Sequence, residues 1–168
     1  PDSGPWEGLQ GTDSFFPYQS ADGRWFAFFG SAKTEKPRKK TPFPKWTVGL
    51  ATAEELEGPW RRCNDRNPLV LDPNFVENPL VTRLEDGLYV AVVDGGNRMG
   101  STVSDDGVNW CQAVFPEIPK AGGQWWGTMR TPLCLIPEAD GTYTVFFTAY
   151  SNKSRFAAVG RAAFRRVK

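Results

Sequence analysis

The sequence predicts an all-β fold built from repeated blades of three to four antiparallel strands. Three observations carry this. Gly (17) and Pro (14) are frequent and spread along the 168 residues, the pattern of many short strands joined by turns. The hydrophobic share is 40% and the aromatic share 14%, too apolar for a disordered chain and sufficient for a core. Finally, one unit recurs three times, and recurrence decides architecture before any single element does.

The anchor of the unit is Asp-Gly-x-aromatic followed by an apolar strand. It occurs as Asp22-Gly23-Arg24-Trp25, as Asp86-Gly87-Leu88-Tyr89 and as Asp140-Gly141-Thr142-Tyr143. Asp-Gly is a hairpin signal, because Gly accepts positive φ without steric cost. An apolar segment precedes each anchor: Ser14–Tyr18, Pro79–Thr82 and Pro132–Ile136. A third strand-like segment follows each: Trp46–Ala51, Met99–Val103 and Ala157–Ala163. A fourth, such as Leu69–Leu71, follows some of them. Helix signals are poor. Only Ala53–Glu57 suits a helical turn, which Gly58-Pro59 stops.

A lone sheet of this kind cannot bury both faces, whereas units stacked around an axis can. The expected fold is therefore a single partial β-propeller domain over residues 1–168, with blade units of about 12–63, 76–115 and 129–168. A β-sandwich is the competing fold, but it requires no repeated unit. Propellers carry four to eight blades, and three leave open sheet edges. The remaining blades are expected on another chain segment or a partner. The chain begins at Pro1 with no initiating Met or signal peptide, the pattern of a mature form or a fragment.

Composition removes several function classes. Net charge is +1, which gives no reason to expect nucleic acid as a partner. No apolar run reaches the length of a membrane span, so no membrane partner is expected. His is absent, which excludes His-ligated metal and Ser–His or Cys–His nucleophile pairs. Cys63, Cys111 and Cys134 are widely spaced and odd in number. They read as mostly buried small hydrophobes, with at most one disulfide of undetermined pairing.

In a propeller the innermost strands converge on an axis. Nine residues before each anchor Asp stand Asp13, Glu77 and Thr131, with Arg130 beside the last. Two carboxylates and a guanidinium at equivalent positions would face one axis, the arrangement that glycosidic hydrolysis needs. One carboxylic acid protonates the leaving oxygen, and another carboxylate activates water or attacks directly. Plainer readings exist for each residue. Asp13 can cap local N–H groups in a turn, Glu77 can be an ordinary surface residue, and Arg130 can be a structural ion-pair partner.

Around these residues the chain resembles glycoside hydrolase family 43 and its relatives. Val48-Gly49-Leu50-Ala51-Thr52-Ala53 with Leu56-Glu57-Gly58-Pro59-Trp60 is similar to that family's strand-and-turn signature. Thr12-Asp13-Ser14-Phe15-Phe16 resembles its second blade. Phe75-Val76-Glu77-Asn78-Pro79 resembles its third-blade motif, with Asn78 where the family often has Gly. Ser104-Asp105-Asp106-Gly107-Val108-Asn109-Trp110 resembles a turn common in families 43 and 32. That turn is also similar to the sialidase Asp-box, and in either case it stabilises a turn.

The resemblance covers nearly the whole chain and implies a five-bladed propeller of which these are the second, third and fourth blades. It implies that Glu77 is the general acid, that Asp13 tunes its pKa and orients substrate, and that Arg130 lines the pocket. The family's general base is a first-blade Asp with no counterpart here, so that carboxylate is expected outside this chain. The implied activity is inverting hydrolysis of arabinofuranoside- or xyloside-like polysaccharides or oligosaccharides, by a protein of extracellular or periplasmic location. Alternatives are a non-catalytic carbohydrate-binding propeller, an inactive fragment, or a scaffold like the WD-repeat propellers, whose own signature is absent.

Further residues complete the expectations. Trp125 and Trp126 can stack on sugar rings, or else pack between blades. Asp94, ending its strand before Gly95-Gly96, can reach the pocket rim. Lys33–Lys40 is a basic run that reads as a solvated insertion or a contact for an anionic polymer. No cofactor is expected. A calcium ion at the axis is compatible with the fold, but no ligand set demands one.

Overall fold

A computed structural model describes residues 3–8, 11–32, 46–118, 125–151 and 157–165. The basic run Lys33–Lys40 lies outside these residues. The described residues form ten strands and no α-helix. Strands β1 (Thr12–Gln19), β2 (Trp25–Ala32), β3 (Trp46–Ala53) and β4 (Arg61–Arg62) make the first sheet in sequential order. Strands β5 (Glu77–Arg83), β6 (Tyr89–Asp94) and β7 (Met99–Ser104) make the second. Strands β8 (Trp126–Pro137), β9 (Thr142–Ser151) and β10 (Ala157–Arg165) make the third. All pairings are antiparallel, and each sheet is an up-and-down meander. The first strands of the three sheets are neighbours, with β5 between β1 and β8.

The three anchors fold as the same turn. Gly23, Gly87 and Gly141 have φ of 86°, 87° and 76°. A Cβ at any of the three would touch nothing, so the backbone conformation alone calls for Gly. The Asp before each Gly accepts a bond from the amide two residues on, at Arg24, Leu88 and Thr142. Of the expected helical turn Ala53–Glu57, Ala53 ends β3 and residues 54–57 form a bend and turn rather than a helix, with the Gly58 amide bonded to the Glu55 carbonyl at 3.0 Å.

Core formation follows from the middle sheet. Along β6, Tyr89, Ala91 and Val93 pack into one core with Tyr18, Phe26, Phe28, Val48 and Leu50 of the first sheet. The alternate residue Val92 packs into a second core with Met129, Leu135, Val145, Phe147 and Ala149 of the third sheet. This explains a strand that is apolar at every position before Asp94 rather than alternating: both faces pack against a core. Each fully buried large side chain, such as Phe28 or Phe147, contributes about 1.5–3 kcal/mol. The sheets are thus stacked blades sharing two cores.

Two polar devices fix the stack. Asp106 gathers bonds from the amides of Val108 and Asn109, from Asn109 Nδ2 and from Ser104 Oγ. Burial opposes its ionisation, but these bonds outweigh it and hold the carboxyl far below the usual range. The Tyr18 hydroxyl then donates to the Gly107 carbonyl at 2.7 Å, tying the turn to the first sheet. On the other face of the first sheet, Trp6 lies 5.5 Å from Phe29, and Glu7 pairs with Arg62 at 2.9 Å.

The cysteines depart from expectation. All three are free thiols, Cys111 is exposed, and Cys63 and Cys134 are half-buried. Cys111 leaves the Asp106 turn on the outermost side of β7, where its amide bonds the Val103 carbonyl and its side chain faces out. No helix among the described residues is long and apolar enough to cross a membrane.

Candidate functional site

Each inner strand carries a β-bulge near its start. The ladder shifts between Asp13 and Phe16 in β1, between Glu77 and Leu80 in β5, and between Met129 and Pro132 in β8. β8 has further irregularities at Trp126–Thr128 and Pro132–Cys134. A bulge turns a strand and re-aims its side chains. Here it does so at the residues singled out by the repeat. Asp13 faces Gly30 across the ladder and Glu77 faces Asp94. Arg130 and Thr131 occupy the bulge itself, where the Thr148 hydroxyl reaches the Thr131 carbonyl at 3.5 Å.

A hydrogen-bonded chain links the three bulges. Ser14 Oγ donates to Asn78 Oδ1 at 2.5 Å, and Asn78 Nδ2 donates to Thr131 Oγ1 at 3.2 Å. Ser14 and Asn78 both hold positive φ, 56° and 50°. Asn tolerates that region better than most residues, which accounts for Asn78 where a Gly was the alternative. Its amide joins all three sheets, a role that the sequence did not disclose beyond the unusual residue.

Glu77 is the chemical centre of this cluster. It is 7% exposed, and Arg130 Nη2 lies 3.9 Å from its Oε2. Its pKa is pushed up to about 7 from 4.5, first by burial and then by the charge of Asp94, with a smaller push from Asp13. Arg130 opposes that rise. A carboxyl in this setting retains its proton near neutrality and can deliver it to a bound oxygen.

The other candidates divide. Asp13 is exposed and accepts the Ser14 amide at 2.7 Å, so it caps a local N–H while its charge reaches Glu77. Beside it a cleft of about 320 Å³ is lined by Asp13, Ser14, Phe15, Trp60 and Arg62. Asp94 is not at an open rim. It is fully buried, because β6 carries it inward opposite Glu77 and Gly96 closes over its Oδ1 at 2.8 Å. Trp126 packs edge-on against Phe147 at 5.8 Å in the second core, while Trp125 remains 39% exposed. A larger apolar cavity of about 430 Å³ lies away from the cluster, between Val92, Leu135, Val145 and Phe164. Among the described residues no three Cys, Asp or Glu gather in a way that could hold a metal ion.

The chain shares its fold with solved glycoside hydrolases. A thermostable family-43 glycoside hydrolase superposes with a TM-score of 0.66 at 13% identity, over 90% of this chain and 50% of its own. A glycosyl hydrolase from Bacteroides ovatus gives 0.64 at 14% identity, over 95% of this chain and 49% of its own. The endo-arabinase from Bacteroides thetaiotaomicron gives 0.62 at 13% identity, over 96% and 59%. The chain thus spans about half the length of these structures, and its fold is that of family-43 glycoside hydrolases. No protein-family model matches the sequence, and no curated protein does.

Proposed function

We propose that this chain forms the proton-donor part of a glycosidase site, with Glu77 as the general acid. The observation that carries this reading is the setting of Glu77: a buried carboxyl that keeps its proton near neutrality, beside a guanidinium, where three inner strands converge. In the reaction, the Glu77 proton passes to the glycosidic oxygen as the bond to the anomeric carbon breaks. Water adds to that carbon on the opposite face and gives its proton to a carboxylate supplied from outside these residues, with inversion. Asp13 raises the proton affinity of Glu77 and orients the sugar, and Arg130 binds its hydroxyls. Exposed Trp125 offers a stacking surface for the sugar ring. The endo-arabinase among the fold neighbours supports a pentose polysaccharide such as an arabinan as substrate. Such a substrate fits a secreted or periplasmic protein.

The test is Glu77→Gln in the longest natural form of the protein that contains these residues. Turnover of alkyl arabinofuranosides or xylosides is expected to fall by about 10²–10⁴-fold with oligosaccharide binding retained. Binding without turnover in the unsubstituted protein would instead identify a carbohydrate-binding module.

A further inference from the structure

The oxygen of Asp94 with no hydrogen-bond partner has no evident purpose in the fold. Asp94 ends a strand that is otherwise Tyr-Val-Ala-Val-Val, and it is fully buried. Its Oδ1 accepts the Gly96 amide, while Oδ2 is buried and has no hydrogen-bond partner among the described residues. Burying a charge with one donor is costly, so a carboxyl here needs a reason. The repeat shows that blade geometry does not supply one. The same position, five residues after the anchor aromatic, is Gly30 in the first sheet and Thr148 in the third. All three sheets keep the bulge across from it whether or not a carboxyl is present.

What distinguishes the second sheet is Glu77, the ladder partner of Asp94. We propose that Asp94 is a positioning residue for Glu77, its buried carboxylate facing Glu77 across the β5–β6 ladder so that the pair shares one proton and delivers it from Glu77. This rests on reading Glu77 as the proton donor. Among the described residues the charged groups facing Glu77 are Asp94 from β6, Arg130 from β8 and, more weakly, Asp13 from β1. Among the described residues one guanidinium therefore serves both buried carboxyls, and Asp94, whose own pKa is raised by burial, is likewise steadied by Gly96 and Arg130. Two ionised carboxyls cannot both be balanced by it, so one proton stays in the pair.

The experiment is site-resolved carboxyl ¹³C NMR titration of the folded full chain. In the unsubstituted protein Glu77 and Asp94 should each titrate in two steps, every step visible at both residues. In Asp94→Asn the Glu77 midpoint should drop by about one pH unit or more. A residue of merely structural importance would leave the Glu77 midpoint where it was. Independent single-step curves in the unsubstituted protein, or an unmoved Glu77 midpoint in Asp94→Asn, overturn the proposal. The titration needs no turnover, so loss of the hydrolase reading would appear separately, as Glu77→Gln retaining full activity.

Discussion

Arg130 Nη2 stands 3.9 Å from Glu77 Oε2, reaching from β8 to the first residue of β5. At that distance the guanidinium restrains the proton affinity of Glu77 without forming a tight pair. Removing the charge in Arg130→Gln should move the Glu77 titration above about 7. The alkaline limb of the kcat/KM profile should move in the same direction. Titration of Glu77 in the variant checks this, and a shift to lower pH would contradict it.

Stability should depend on pH through Glu77 with a definite sign. A carboxyl whose pKa rises from 4.5 to about 7 on folding holds more protons in the folded state between those values. Its contribution is fully present below about 4.5 and is lost as pH rises through about 7. The loss is on the order of 2–3 kcal/mol, and it should shrink in Glu77→Gln to the share of the same sign that Asp94, also raised by burial, contributes. Urea unfolding at pH 4.5 and pH 8 measures it. The depressed carboxyls of Asp22, Asp106 and Asp140 act in the opposite sense, at lower pH, and do not obscure the window.

Asn78 combines a backbone role with a bridging one. Asn78→Gly keeps the φ of 50° accessible but loses the bonds to Ser14 and Thr131. Asn78→Ala loses the same bonds and adds the strain of a Cβ in the left-handed region. Ala should therefore cost about 1–2 kcal/mol more than Gly by denaturant unfolding. Equal stabilities would place the whole effect in the hydrogen bonds.

The adjacent tryptophans should separate by phenotype. Trp126→Ala removes a ring packed on Phe147 and should destabilise the third sheet by about 3 kcal/mol or more. Trp125→Ala, at an exposed ring, should leave the melting temperature nearly unchanged and weaken oligosaccharide binding. Paired melting and binding measurements distinguish the two.

The repeat was legible in the sequence because Asp-Gly turns are local chemistry, and Gly23, Gly87 and Gly141 fold alike. The convergence of Asp13, Glu77 and Arg130 was legible for the same reason: counting back from a shared turn preserves position along the strand. What counting could not reveal is what lies across the ladder. The partner of Glu77 depends on one extra residue in β5, and bulges leave little trace in composition. Hence Asp94, which reads as a rim residue next to two glycines, is buried opposite Glu77 instead. Trp126 likewise could not be assigned to sugar or core until the bulges of β8 fixed which face it occupies.

The most direct test of Glu77 as proton donor is the dependence of its removal on the leaving group. In the longest natural form of the protein, kcat/KM is measured for alkyl, 4-nitrophenyl and 2,4-dinitrophenyl glycosides with and without Glu77→Gln. A leaving group that departs as a stable anion needs no proton. The loss should therefore be about 10²–10⁴-fold for the alkyl glycoside and shrink steeply toward the dinitrophenyl one. An equal loss across all three, or none, would contradict the role assigned to Glu77.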